Sequence, residues 1–299
     1  MASVTRCTIT SNRNRRGLID LKLPDFTTRL PKAVAMDLDE TALNSNSRLD
    51  ERTRAAIHAV HNSGYPIIIA TSRPERVLQT LVGNDILEIT SLVQMNGTIA
   101  TGRAELTGNL RITINLDDAR MCWSLVSEMN PEPRMTLEID GTRFAVNHDD
   151  EIDELWAFNS ATPTMIVSFE EAMTFEPVKI SVNGMDSNLE ELAQTLESRL
   201  SKNTEVFRAG RVQFLNVVPS AASKSGAVAH LLSSSNIPLR DVLSFGDDYV
   251  DIELIRDCGW SVAVANAIPE IKSIATYETE SNDDHGVAIV LENLIAATK

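Results

Sequence analysis

The chain has 299 residues, a formal net charge of −15, 43% apolar residues and 23% charged ones. A pI near 4.8 argues against a general nucleic-acid binder, and no apolar run approaches the roughly 18–20 residues that span a bilayer. Three distant cysteines, Cys7, Cys122 and Cys258, argue against a disulfide framework and against zinc, and fit a reducing, cytoplasmic setting.

Residues 1–30 read as a basic extension rich in Ser, Thr and Asn. Over the first 32 residues Arg6, Arg13, Arg15, Arg16, Lys22, Arg29 and Lys32 face only Asp20 and Asp25. The extension has no apolar stretch of the kind a secretory signal carries. Its composition leaves organelle targeting open, and a disordered or loosely docked arm is expected.

The regular pattern begins at 33. Residues 33–38 read as a strand, 50–62 as a helix closed by Asn62-Ser63-Gly64, and 66–70 as a second apolar strand. Pro74 is placed in the first turn of the next helix, where no N–H is needed, and 91–94 form a third strand. Continuous apolar strands alternating with helices predict a parallel sheet covered on both faces.

The middle differs. A hairpin is expected over 98–115 about Thr107-Gly108-Asn109, then a helix over 117–129. Strands follow at 134–139 and 142–147 about Asp140-Gly141. A helix over 151–158, a strand over 178–182, a helix over 189–200 and a hairpin of 204–207 with 212–218 complete the stretch. This predicts an α+β unit with an antiparallel sheet, inserted over 98–218. From 219 the alternation resumes, with helices at 224–234, 250–256, 269–274 and 287–296 and strands at 242–245 and 260–264. The core α/β domain therefore takes 31–97 and 219–299.

Four places in the core carry chemistry. Asp37 and Asp39 follow the first strand, where ligands gather in α/β sheets. One carboxylate can act as a covalent nucleophile and its neighbour as acid and base, although a solvated acidic loop has the same composition. Thr71-Ser72-Arg73 follows the second strand; it can hold phosphate oxygens or simply cap a helix. Lys224 opens a helix, where lysines are usually on the surface. Asp247 and Asp251 follow another buried strand, with the spacing of one helical face or of an acidic helix N-terminus. Taken together, carboxylates from separate strand ends cannot crowd together ionised without cations. Oxygen ligands with few His or Cys select magnesium, bridged to a substrate phosphate.

In that order Asp37-Leu38-Asp39-Glu40-Thr41, Ala70-Thr71-Ser72-Arg73, Lys224 after a large insertion, and Gly246-Asp247-Asp248-Tyr249-Val250-Asp251 resemble the haloacid dehalogenase superfamily. The insertion is similar to the α/β cap of its Cof-like phosphatases. The resemblance runs from about Pro31 to the C-terminus, with Met95-Asn96-Gly97, Val264-Ala265-Asn266-Ala267 and the 281–287 loop as further matches. It implies a Rossmann-like parallel-sheet core interrupted by an α+β cap domain. It also implies a magnesium-dependent phosphatase acting on a small phosphorylated substrate, foremost a sugar phosphate, through an aspartyl-phosphate.

On that resemblance Asp37 attacks phosphorus and Asp39 is the acid and base. Magnesium is held by Asp37, the Asp39 carbonyl and Asp247. Asp251 supports the metal or orients Lys224. Thr71, Ser72, Lys224 and Asn266 are the phosphate-binding residues, and Thr41 shapes the first loop. The insertion closes over the site and selects substrate, with Arg134, Arg143, His148 and Trp156 as candidates that could equally be ordinary surface or core residues. Glu40 and Ser72 replace glycines of the family pattern, and Val250 replaces an asparagine. A sugar-phosphate mutase and a non-catalytic phosphate-binding member are the alternatives.

Overall fold

The computed structural model describes residues 22–148, 161–184, 188–209 and 214–299. The helix expected over 151–158, with Trp156, lies outside the described residues, as do the cations before Lys22. Two sheets organise the chain. The larger has eight strands and the smaller five.

The heart of the larger sheet is β1 (Ala33–Met36), flanked by β2 (Ile67–Ala70) and β11 (Val242–Gly246), all parallel. All three strands are buried along their length because both faces are covered. Val34, Met36, Ile67 and Ile69 pack on one side with α1 (Glu51–Asn62) and the C-terminal helix Gly286–Ala297. Ala33, Ala35, Ile68 and Ala70 face the other side, where the helix Lys224–Ser233 lies. The small alanines let that helix come close. Asp50 caps α1 by accepting from the N–H groups of Arg52 and Thr53.

Beyond β2 stand α2 (Glu75–Val82) and the parallel strand β3 (Ser91–Gln94). Pro74 is the residue before α2, with extended backbone, and not its first turn. On the far side, β12 (Trp260–Ala263) and β13 (Tyr277–Glu278) finish the sheet. The hairpin expected to open the inserted unit extends this sheet instead: β4 (Ile99–Thr101) pairs antiparallel with β3, and β5 (Asn109–Arg111) with β4. The free edge of β3 accepts the first strand that folds back onto it, and periodicity does not say which sheet a hairpin joins.

The smaller sheet comprises β6 (Arg134–Glu138), β7 (Phe144–Val146), β8 (Lys179–Asn183), β9 (Thr204–Ala209) and β10 (Phe214–Pro219), all antiparallel. Its apolar face packs on the helices Leu116–Ser127 and Leu189–Arg199. Where the chain passes between sheets, the Arg111 guanidinium donates to the carbonyls of Ile139, Phe175 and Glu176.

The N-terminal arm is docked from Lys22 onward. Phe26 is buried against Trp260, with ring centroids 5.3 Å apart, and the Glu278 N–H donates to the Lys22 carbonyl. With Arg29 and Lys32 both paired to Asp241, these contacts hold a segment that composition alone left loose. Among the described residues no helix is long and apolar enough to cross a membrane.

Candidate active site

Because β1 lies between β2 and β11, three strand ends meet side by side. Asp37, Thr71 and Asp247 each directly follow their strand. From β1 the chain runs to β2 on one side and later returns to β11 on the other, which makes β1 the switch point where α/β sheets open a crevice. The Asp37 N–H still donates to Phe245 O at 3.2 Å. The backbone then turns through Leu38–Ala42, with Glu40 left-handed at φ 52. Such a backbone costs a non-glycine residue about 1–2 kcal/mol. Asn266 holds it: its Nδ2 donates to Glu40 O at 2.6 Å, and its Oδ1 accepts from the Asn282 N–H at 3.0 Å. Asn266 was expected at the phosphate. Its amide is instead engaged at both ends, with Glu40 of the loop that carries Asp37 and Asp39 and with Asn282 of the 281–287 loop.

Lys224 lies beneath this loop at 2% exposure. Its Nζ donates to Asp37 Oδ1 at 2.6 Å and to Asp251 Oδ1 at 2.7 Å. The other oxygen of Asp251 accepts from the Asp247 N–H at 3.1 Å, and Thr41 Oγ1 donates to Asp247 Oδ1 at 2.7 Å. Asp37, Asp247 and Asp251 each bring an oxygen within 4.8 Å of the others, and all three are buried. Met95-Asn96-Gly97 sets the start of the lysine helix. Gly97 has φ +91, and a Cβ there would stand 2.2 Å from Ser223 O, so only glycine fits.

Burial raises Asp37 well above the usual carboxylate range. Lys224 pulls it back, while Asp251, Asp247 and Asp39 push it further. Burial and then Asp251 lift Asp247 to about 7, against the Thr41 hydrogen bond. Burial works against the Lys224 charge, but Asp251 and Asp37 outweigh it and the group is raised. One ammonium among three buried carboxylates leaves a deficit of positive charge. That donor set, all oxygen and desolvated, fits a hard divalent cation. Asp37 and Asp247 each have one oxygen outside the hydrogen bonds described. Both Asp251 oxygens are engaged, one with Lys224 Nζ and the other with the Asp247 N–H.

The Asp39 carboxylate stands apart from this cluster. Arg73 grips it through Nε at 2.8 Å and Nη2 at 2.7 Å. Thr71 is fully buried, and its Oγ1 accepts from the Arg73 N–H at 3.1 Å. Ser72 is half-buried, and its carbonyl accepts from Lys179 Nζ at 3.2 Å. Neither the Arg73 fork nor Lys179 was expected from the sequence. Arg73 had a signal, its place beside Thr71. Lys179 alternates with buried Ile180 and Val182, a pattern that reads as a solvent-facing side chain.

The expected substrate-selecting residues are not gathered at the carboxylates as a group. Arg143 is held within its own turn, with Nε on Asp140 Oδ2 at 2.8 Å and its guanidinium 4.2 Å from the Phe175 ring. Arg134 opens β6 and His148 follows β7, both half-buried. The turn itself does reach the core: the Arg76 N–H donates to Gly141 O at 3.0 Å. A cleft of about 550 Å³ beside it, lined by Glu75, Arg76, Gln79, Arg103 and Thr142, includes none of Asp37, Asp39, Asp247 and Asp251.

A family model described as haloacid dehalogenase-like hydrolase matches residues 34–291. The chain belongs to the haloacid dehalogenase-like hydrolases. Within them it is similar to phosphatase YwpJ of Bacillus subtilis, 27% identical over 292 residues, covering 88% of this chain and 100% of that one. It is also similar to the 5-amino-6-(5-phospho-D-ribitylamino)uracil phosphatase YwtE of the same organism, 24% identical over 289 residues, covering 89% of this chain and 98% of that one. The crystal structure of a haloacid dehalogenase-like hydrolase from Bacteroides thetaiotaomicron superposes with a TM-score of 0.75 at 22% identity, over 88% of this chain and 98% of that one. The subclass IIB sugar phosphatase BT4131 superposes at 0.72 with 22% identity, over 87% and 98%. This hydrolase therefore has the family's fold, an α/β core joined to a second sheet.

Proposed function

We propose that this hydrolase is a magnesium-dependent phosphatase that cleaves a small organic phosphate monoester, a sugar or polyol phosphate, through a covalent intermediate on Asp37. The observation that carries the proposal is Lys224 joining Asp37 to Asp251 inside a buried carboxylate cluster at the switch point of the sheet. The substrate class is supported by relatives named as phosphatases of a phosphoribityl compound and of phosphoglycolate, and by a neighbour named as a sugar phosphatase.

In this proposal Asp37 and Asp247, with the Asp39 carbonyl, would hold the metal. The bound ion supplies charge that offsets the phosphate and the carboxylates around it. Lys224 favours the ionised form of Asp37 against its burial and lowers its repulsion toward a phosphate dianion. The Asp37 carboxylate attacks phosphorus as the ester P–O bond breaks, and Asp39 gives its proton to the leaving oxygen. Water then attacks the aspartyl-phosphate, Asp39 takes its proton, phosphate leaves and Asp37 is restored. Thr71 and the backbone of the loop after β2 steady the phosphoryl oxygens. Most of the rate comes from positioning and charge.

The test is phosphate release over a panel of sugar, polyol and nucleotide phosphates, with magnesium and then with excess chelator. Turnover is expected only with magnesium. Asp37→Asn should lose about three orders of magnitude or more in kcat. Asp39→Asn should slow alkyl phosphates far more than p-nitrophenyl phosphate, whose leaving group needs little protonation. Isomerised sugar phosphate without free phosphate would instead indicate a mutase. Phosphate binding without any turnover would indicate a non-catalytic protein.

A further inference from the structure

Lys179 opens β8 in the smaller sheet, yet its ammonium lies against the core. Its Nζ donates to the Ser72 carbonyl, in the loop that carries Thr71 and Arg73. The residue is 8% exposed. Glu138 is its cross-strand partner, but both Glu138 oxygens are held by Arg76 at 2.7 Å. Among the described residues Lys179 forms no ion pair. A buried ammonium satisfied by one carbonyl is costly. A neutral donor would tie the two sheets together as well, without that cost.

Desolvation accordingly pushes the Lys179 ammonium down to about 8. Glu138 resists the fall, while Arg76, Lys224 and Arg73 add to it. The bond to Ser72 O sets the Lys179 ammonium at the loop of Thr71 and Arg73, beside the candidate site. There Lys224 is shared between two carboxylates and Arg73 is taken by Asp39. An arriving phosphate dianion meets one cation not matched to a carboxylate, and that cation comes from the smaller sheet.

We propose that Lys179 binds a non-bridging oxygen of the substrate's phosphoryl group, and does so only when the smaller sheet is docked on the core. Bound phosphate and the docked arrangement then stabilise each other. The inference rests on the phosphatase reading for the identity of the anion. It adds a residue that senses the phosphate from the other side of the cleft.

The experiment uses the full chain with magnesium and inorganic phosphate as the probe, followed by calorimetry. Lys179→Met keeps the apolar stem and removes the charge. Its phosphate Kd should weaken roughly 10- to 100-fold with an unchanged or higher Tm, and Lys179→Arg should recover part of the loss. A Kd within about twofold of the parent's would overturn the inference. So would a loss confined to the organic substrate, which would place Lys179 on the leaving group. A second measurement needs no variant: phosphate should slow amide exchange in residues 179–183 and 71–73 of the unmodified chain, and unchanged exchange counts against the proposal. If the parent binds phosphate through Lys179 but turns over no ester, the phosphatase reading fails and this one stands. If the parent is active and the Lys179→Met Kd is unchanged, only this one fails.

Discussion

Lys224 bonds two carboxylates, Asp37 and Asp251, while Asp247 is bonded by the Thr41 hydroxyl and feels the Lys224 charge without a bond to it. The imbalance has a measurable pH signature. Asp247 stands near 7 in the folded chain, through burial first and Asp251 second, against 3.8 for a free carboxyl. Across that window the folded chain keeps a proton that the unfolded chain has released. Stability from this group therefore falls as pH rises from about 4 to about 7, and stays lowered above. A cation must displace the same proton to bind. Millimolar magnesium should accordingly raise Tm by several degrees near pH 8 and by clearly less near pH 5.5, as scanning calorimetry would show. Equal rises at both pH values would mean that magnesium binds elsewhere.

At the scale of elements, the site depends on turns that bring backbone against side chain. Gly246 ends β11, and a Cβ there would lie 2.6 Å from the Asp251 Cβ and 2.8 Å from its Cγ. Asp251 can hold both Lys224 and the Asp247 N–H only because that space is free. Gly246→Ala should push Asp251 aside at a cost of about 1–3 kcal/mol of stability, read from denaturant unfolding. Its magnesium affinity should fall in the same variant. A substitution that lowers stability but leaves magnesium affinity intact would separate the turn from the site. Val250, where the family pattern has asparagine, is half-buried in the short helical turn Tyr249–Asp251, whose Asp248 cap bonds the Tyr249 N–H.

For the molecule as a whole, the contact between the sheets is built on a buried ion pair. Arg76 at the start of α2 forks onto Glu138 of β6, side chains 6% and 8% exposed, and lies 4.5 Å from the Phe144 ring. Met95, Ile99 and Val178 add an apolar contact beside it. Glu138→Ala strands a buried guanidinium, a loss of about 3–5 kcal/mol in comparable pairs. That loss falls at the contact between the sheets, so it should appear as opening there before unfolding. Amide exchange should quicken in 138–141 and at the start of α2 while the centre of the larger sheet stays protected, and KM should rise. Arg76→Met combined with Glu138→Leu should restore most of the protection, since replacing a buried pair by apolar groups is often neutral.

Much of this was legible in the chain. The apolar runs of β1, β2 and β11 are continuous because they are buried on both faces, so element type and parallel order follow from composition. Asp37, Thr71 and Asp247 could be placed at strand ends for the same reason, and Lys224 at a helix start. The sequence could not show which edge the 99–111 hairpin joins, since β3 accepts any strand that folds back on it. It could not show that Asn266 is bonded to Glu40, or that the arm docks through Phe26, because each contact joins residues far apart along the chain. Lys179 is the sharpest case. Strand alternation marks it as facing away from its own sheet's core, and alternation alone reads that as water. What lies on that side is a second sheet, brought there by the Arg76–Glu138 pair and the returning chain. Local pattern determined which residues could carry charge at the ends of strands. Only the packing of one sheet on the other decided which of those charges were buried together.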